Sequence, residues 1–165
     1  MGVSLIVAVS DNDVIGRKGV VPWFVRGDQA IFKRITFGKP VIMGRVTYEA
    51  PKTYKAKPRL LPGRLNVIVS RNPSYQVPEG GVVASSLKDA LDLPAVKESP
   101  EVFVIGGEQL LNEALPLAGK VYLTRVHTVV ADGDKFFKFD PGGWKLVHSE
   151  FYKKDEVPDR PFDFE

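Results

Sequence analysis

Short runs of apolar and β-branched residues alternate with helical patterns along most of this chain. Residues 4–10 and 102–105 are apolar at nearly every position, which is typical of strands buried on both faces of a parallel sheet. The alternation favours an α/β sheet with right-handed crossovers. The predicted strands are 4–10, 40–43, 65–70, 81–84, 102–105, 121–126 and 144–151, and the predicted helices are 28–37, 45–50, 87–91 and 109–115.

The C-terminal stretch after residue 143 has a different pattern. Its pattern indicates two strands joined by a polar connection that contains proline, and it therefore predicts an antiparallel C-terminal hairpin. No internal linker divides the chain. The expected fold is therefore one α/β domain over residues 1–165, with a central, mostly parallel twisted sheet of about eight strands and flanking helices.

Composition narrows the functional classes only a little. The 165 residues are 44% hydrophobic and 26% charged, with 23 basic and 20 acidic side chains. No apolar run approaches the roughly 20 residues of a membrane span, and no basic region precedes the first apolar stretch. Without cysteine there are no disulfides, which fits a cytoplasmic protein. The net charge of +3 suits a binder of phosphates or carboxylates, and equally a plain basic surface.

One acidic residue stands out in the first predicted helix. On a period of 3.6 residues, Asp28 shares a face with Ile31, Phe32 and Ile35, which should turn toward a core. An unpaired carboxylate buried there costs on the order of 2–7 kcal/mol. Asp28 is interpreted either as the N-cap of the helix or as a carboxylate in an apolar cleft that pairs with a cationic or amidine-like ligand, with its pKa raised by desolvation; capping would not preclude the second role.

Glycines and arginines follow three of the predicted strands. Gly44 and Arg45 follow one strand, Ser70 and Arg71 follow the next, and a glycine pair at 106–107 follows a third. Ligands of α/β sheets bind beyond the carboxyl ends of the strands, and helix starts there attract anions. The fingerprint G-x-G-x-x-G is absent, so only the convergence of these features indicates a ligand with several phosphates.

Taken together, these motifs resemble those of dihydrofolate reductases. The segments "SLIVAVSDNDVIG", "VPWFVRGDQAIFKRIT", "KPVIMGRVTYE", "LPGRLNVIVSRNP", "VFVIGGEQLL", "VYLTRVHT" and "ADGDKFF" occur in the order seen in that family. The resemblance extends from Ser4 to the C-terminal strands. It implies NADPH-dependent reduction of 7,8-dihydrofolate, by hydride transfer to C6 and protonation of N5.

The resemblance also implies roles for individual residues. Asp28, Trp23 and Thr124 match catalytic positions, and Asp28 would hold the pterin while a water placed with the help of Trp23 delivers the proton. Arg64 would clamp the carboxylate of the glutamate tail, and Arg45 and Arg71 the 2′-phosphate of the cofactor. The implied substrate-binding residues are Ile6, Val7, Asp28, Phe32, Leu61, Arg64, Ile105 and Thr124. The implied NADPH-binding residues are Val7, Ala8, Ile15, Gly16, Gly44, Arg45, Val46, Thr47, Val69, Ser70, Arg71, Ile105, Gly106, Gly107, Glu108, Gln109 and Leu110.

Further expectations concern regions beside the pocket. Residues 11–23 resemble a mobile lid that Asp134 braces, and the peptide between Gly106 and Gly107 is cis in the family. Gln29 stands where many bacterial relatives have leucine, which predicts weaker binding of trimethoprim. The basic segment 50–59 is either a solvated loop or a surface that binds the tail of polyglutamylated folate. We expect a monomer that binds no metal, nucleic acid or membrane.

Two alternatives remain open from the sequence. One is a reductase of the same fold that acts on a pyrimidine intermediate of riboflavin synthesis. Asp28, Phe32 and Arg64 argue against it, because such proteins do not combine these elements. The other is a non-enzymatic binder of nucleotides or nucleic acid. Its basic residues are scattered, and no basic motif interleaved with aromatic residues occurs.

Overall fold

The computed structural model describes residues 1–17, 21–23, 27–50, 58–157, 160 and 162–165. Its strands follow the apolar runs of the sequence closely, because residues buried on both faces of a sheet leave an uninterrupted apolar signal. In chain order the strands are β1 (Gly2–Ser10), β2 (Val14–Gly16), β3 (Val41–Gly44), β4 (Asn66–Val69), β5 (Gly81–Ala84), β6 (Glu101–Gly106), β7 (Lys120–Val126) and β8 (Lys135–Phe136).

Six of these strands form one parallel sheet in the order β5-β4-β3-β6-β1-β7. The other two, β2 and β8, pair antiparallel as a separate small sheet. The predicted α/β class with a mostly parallel central sheet is confirmed. The expected total of about eight strands is also found, but it divides into six and two because β2 and β8 pair only with each other.

Short helices connect the strands. They are α1 (Asp28–Thr36), α2 (Arg45–Glu49), α3 (Leu87–Asp92), α4 (Pro94–Lys97) and α5 (Glu108–Ala114), with a 3₁₀ turn at Leu115–Leu117. Helix α2 begins directly after β3, and Gly107 alone separates β6 from α5. Both helix starts therefore lie at the carboxyl edge of the sheet. None of the helices in the described part of the chain combines the length and apolar character that a membrane span requires.

Apolar side chains cover both faces of the central sheet. Successive residues of one strand belong to opposite clusters: Leu5 packs on one face and Ile6 on the other, and Val104 and Phe103 divide in the same way. This follows from the two-residue period of a strand. Two-sided burial holds the carboxyl ends of the strands in fixed relative positions, which is what a site at that edge requires.

The predicted strand at residues 144–151 is wrong. This segment forms no strand, and Leu146 and Val147 are 81% and 86% exposed. The antiparallel pairing expected at the C-terminus is limited to isolated bridges that join Phe164 to Tyr152 and to Val126. A strand needs a partner for its backbone groups, and within the described residues 144–151 pairs with no other strand, so its apolar pattern is not sufficient.

Candidate active site

A cleft of about 2400 Å³ lies along the carboxyl edge of the central sheet. All residues predicted as catalytic or cofactor-binding line it, from β1 to the start of α5. Of the residues predicted to bind substrate, only Leu61 and Arg64 do not line it. The topology accounts for this convergence, because parallel strands end at one edge and place residues distant in sequence side by side.

Asp28 is the first residue of α1 and points to the cleft rather than capping the helix. The N-cap residue is Gly27, whose φ is +106°, and no side chain caps this end. The N-cap interpretation of Asp28 is therefore wrong. Its partners on the predicted apolar face divide between two clusters, with Ile31 packing near the C-terminus and Phe32 and Ile35 against the sheet.

The surroundings of Asp28 favour its protonated form. Desolvation by burial raises the pKa of the carboxyl group above its usual range, and a hydrogen bond with Thr124 of β7 opposes this in part. The cleft next to it carries the apolar side chains of Ile6 and Phe32. A carboxyl group in such surroundings can bind a polar heterocycle and take part in proton transfer.

The indole of Trp23 adds an unpartnered donor to this region. Its Nε1 is buried and has no hydrogen-bond partner among the described residues. Trp23 lines the cleft and packs in the small cluster around Val126 and Phe164. Because buried N–H groups are almost always bonded, this one is available to a ligand or a water at the site.

Glycines shape the part of the cleft between β3 and β6. Gly106 has φ +137°, and the peptide that joins it to Gly107 is cis. A Cβ on Gly106 or Gly107 would lie 3.6 or 3.4 Å from the hydroxyl oxygen of Thr47. Side chains are thus absent where the backbone faces Thr47, which leaves room for a phosphate-bearing ligand to approach the backbone closely.

Arg45 and Arg71 lie at neighbouring strand ends of the cleft. Arg71 is exposed after β4, whereas Arg45 forms an ion pair of 2.8 Å with Glu49. The hydroxyl of Tyr75 donates a second hydrogen bond to Glu49. Sequence reasoning missed both Glu49 and Tyr75. The spacing of Arg45 and Glu49 by four helical residues was a usable signal, but nothing local points to Tyr75.

Arg64 does not line the cleft but lies next to Phe32, which does. Its guanidinium is 5.8 Å from the centre of the Phe32 ring and donates a 3.0 Å hydrogen bond to Thr36 Oγ1. Partial burial lowers the pKa of Arg64. Leu61 packs against the cluster that contains Ile6 and Phe103. Arg64 therefore lies against Phe32 in the wall of the cleft, and Leu61 packs in the same cluster as Phe32.

The segment predicted as a lid lies partly outside the described residues, which omit 18–20. Its first part is attached to the loop before β8, where the Asp134 amide donates to the Gly16 carbonyl at 3.0 Å. Gln29 is exposed and lines the cleft beside Asp28. Most of the basic segment, 51–57, also lies outside the described residues.

Metal ligands do not cluster in the described ranges. No group of three His, Asp or Glu side chains there is arranged to hold an ion. The two histidines contact acidic neighbours, His127 with Asp11 and His148 with Glu150.

The fold and the cleft define an α/β protein with a ligand site at the carboxyl edge of a parallel sheet, built around one buried carboxyl group. Comparison with known proteins identifies the family. The family model for dihydrofolate reductase matches residues 2–165. The chain belongs to the dihydrofolate reductase family, a family of oxidoreductases, and the resemblance seen in the sequence is confirmed.

Three relatives indicate how far the similarity extends. The dihydrofolate reductase of Bacillus subtilis is 42% identical over 164 residues, which cover 99% of this chain and 90% of the relative. Dihydrofolate reductase type 3 of Salmonella typhimurium is 40% identical over 94% of this chain and 91% of its own length. The dihydrofolate reductase of Haemophilus influenzae is 39% identical with the same two coverages.

Proposed function

We propose that this protein reduces 7,8-dihydrofolate to 5,6,7,8-tetrahydrofolate with NADPH. The observation that carries the proposal is the carboxyl group of Asp28, which lies in an apolar part of the cleft. The same cleft extends to strand ends that carry glycines and arginines. Family membership and the names of the relatives support the same reaction. We expect the enzyme to be cytoplasmic and monomeric.

The residues of the cleft suit a dinucleotide. Gly44, Gly106 and Gly107 would allow the backbone to approach the phosphates, and Arg45 and Arg71 would bind the 2′-phosphate. When bound, NADPH supplies a hydride from C4 of its nicotinamide to C6 of the substrate. The protein contributes proximity, orientation and an apolar environment to this step.

Protonation of N5 is the step that the side chains would control. Asp28 would hold the amino group and ring nitrogen of the pterin, and Thr124 would keep its carboxyl group oriented. The free Nε1–H of Trp23 would hold the water that passes a proton to N5. Arg64, next to Phe32, would bind the carboxylate of the glutamate tail after a change of side-chain conformation.

The proposal is tested by oxidation of NADPH in the presence of dihydrofolate, with Asp28→Asn compared to the wild type. We expect a loss of activity of about 10²–10⁴-fold, the range typical of removing a group that assists proton transfer. Wild-type activity should fall as pH rises through the raised pKa of Asp28. The pH profile of the variant should show no inflection at the pKa of Asp28. Its activity should instead increase steadily toward low pH, because solvent then protonates the substrate.

Asp92→Asn provides a matched control, since Asp92 is an exposed residue outside the cleft whose ion pair joins it to Lys97. It should retain wild-type activity. A wild-type protein that binds NADPH tightly but does not reduce dihydrofolate would contradict the proposed substrate and favour the pyrimidine reductase alternative.

A further inference from the structure

A chain of two hydrogen bonds leads from the cleft to residues outside it. Arg45 and Glu49 are the first and last residues of α2, and the four-residue spacing places them on one face. Arg45 Nη1 lies 2.8 Å from Glu49 Oε2, and the Tyr75 hydroxyl donates to Glu49 Oε1 at 2.7 Å. Both carboxylate oxygens of Glu49 are thus occupied, one by the arginine and the other by the tyrosine.

Only the arginine of this trio lines the cleft. Arg45 lies at the end of β3 beside Gly44, and Ser70 and Arg71 lie at the end of the neighbouring strand. Glu49 and Tyr75 do not line the cleft, so they act on a ligand there through Arg45 and, in the case of Glu49, also through its charge. The Arg45–Glu49 ion pair is exposed and contributes little stability by itself, and its main effect is on the position of the Arg45 guanidinium.

Tyr75 makes the contact to Glu49 durable. Its ring packs against the apolar cluster that contains Ile6 and Phe103, and this packing restricts the position of the hydroxyl. Partial desolvation and the bond to Glu49 raise the pKa of Tyr75 to about 12, so the hydroxyl remains a donor at physiological pH. The hydrogen bond from Tyr75 and the charge of Arg45 lower the pKa of Glu49, which keeps it ionised.

We propose that Glu49, held by Tyr75, positions the guanidinium of Arg45 for the 2′-phosphate of the adenosine ribose and so sets the preference for NADPH over NADH. This inference rests on the proposed function. The carboxylate engages one terminal nitrogen, and the other N–H groups of the fork remain for a phosphate. Ordering one long side chain before the ligand arrives is worth about 3- to 10-fold in Kd.

The negative charge of Glu49 has an opposing effect, because it repels a phosphate bound to the same arginine. The two effects predict opposite results when the side chain is removed. Positioning predicts that Glu49→Ala weakens binding of NADPH, whereas repulsion predicts tighter binding. Glu49→Gln separates them further, since it removes the charge and keeps an acceptor for one of the two hydrogen bonds.

The experiment measures the Kd of NADPH and of NADH in the absence of dihydrofolate, by quenching of tryptophan fluorescence. Glu49→Ala should raise the Kd of NADPH about 3- to 10-fold and leave that of NADH unchanged, because only NADPH carries the 2′-phosphate. Tyr75→Phe should change the Kd of NADPH in the same direction by a smaller factor, and Glu49→Gln should fall between wild type and Glu49→Ala. The fragments 2′,5′-ADP and 5′-AMP should show the same difference.

Glu98→Ala is the control, since it removes one exposed carboxylate outside the cleft. It should leave both constants unchanged. An unchanged or lower Kd of NADPH in Glu49→Ala would overturn the inference, as would an equal loss for NADH, which would indicate a disturbed fold. A wild-type protein that does not bind NADPH would overturn the proposed function, and the inference with it.

Discussion

Gly27, directly before Asp28, is constrained both by its backbone conformation and by the side chains that pack against it. Its φ of +106° is one that L side chains rarely adopt. A Cβ at this position would lie 3.1 Å from the Arg160 guanidinium and 3.4 Å from the Phe164 ring. Arg160 is buried and lies over the rings of Tyr152 and Phe164. The C-terminal segment therefore packs behind the start of the helix that carries Asp28.

Gly27→Ala is expected to lower both stability and activity. A positive φ in a non-glycine residue costs on the order of 1–3 kcal/mol, and the contact with Arg160 should bring this variant to the upper part of that range. Displacement of the helix start should also lower turnover of dihydrofolate by moving Asp28. Urea unfolding and the NADPH oxidation assay measure the two effects.

Gly38→Ala is the matched control for this substitution. Gly38 also has a positive φ of +77°, but no atom lies within 4 Å of its added Cβ. It should show the backbone cost with little change in activity. Equal losses of stability and activity in the two variants would show that the packing behind Gly27 has no specific role.

At the scale of elements, a charged cluster ties the end of α1 to the amino edge of the sheet. Glu101, the first residue of β6, accepts hydrogen bonds from Ser4 of β1 at 2.6 Å and from Lys39 at 3.0 Å. Lys39 also lies 5.4 Å from the centre of the Phe103 ring. Ser4, Lys39 and Glu101 do not line the cleft, so we expect the cluster to affect the packing of α1 rather than ligand binding.

Glu101→Gln is expected to lower the free energy of unfolding at neutral pH by about 1.5–3 kcal/mol, the range for hydrogen bonds to charged groups. Burial raises the pKa of Glu101, but the bonds from Ser4 and Lys39 outweigh it and the net pKa is lowered. A folded pKa below the unfolded value of 4.5 stabilises the fold above that pH, and the contribution disappears as pH falls through the folded pKa.

Urea unfolding of both proteins at neutral and at acidic pH measures this difference. It should shrink as the solution becomes acidic. Glu98→Gln, an exposed substitution nearby, should have little effect at either pH. A difference that is independent of pH would contradict the assignment to the ionised carboxylate.

Most elements could be predicted from the sequence because their burial is two-sided. Strands β3 and β6 differ from their predicted bounds by one residue at each end. The short strands β2 and β8 were missed, since two or three residues carry no period. Residues 144–151 failed for the opposite reason: they carry a strand-like pattern, but the pairing that would use it is not formed.

At the scale of the whole molecule, the cleft draws on strand ends distributed over most of the chain. Residues from β1, β3, β4 and β6 meet there only in the folded state. A ligand of the cleft therefore binds the native state in preference to the unfolded chain, and its binding energy adds to stability.

NADPH at one hundred times its Kd should stabilise the protein by about 2.7 kcal/mol, which corresponds to a rise in Tm of roughly 5–10 °C for a domain of this size. NADH at the same concentration should give a smaller rise, because the contacts to the 2′-phosphate are missing. Thermal unfolding followed by circular dichroism measures both. Equal shifts for the two cofactors would contradict the roles proposed for Arg45 and Arg71.

The amino-acid sequence alone determined the features that depend on residues close together in the chain. Apolar periodicity established the α/β class, and the order of short motifs established the family and singled out Asp28. The tertiary structure alone decided the rest: Asp28 is not an N-cap, Tyr75 reaches Glu49, and Arg160 lies against Gly27. The contacts of Tyr75 and Arg160 join residues far apart in sequence, and local patterns do not encode them. The periodicity of the helix could only suggest that Asp28 is buried, whereas the packing around the cleft decides how far burial raises its pKa.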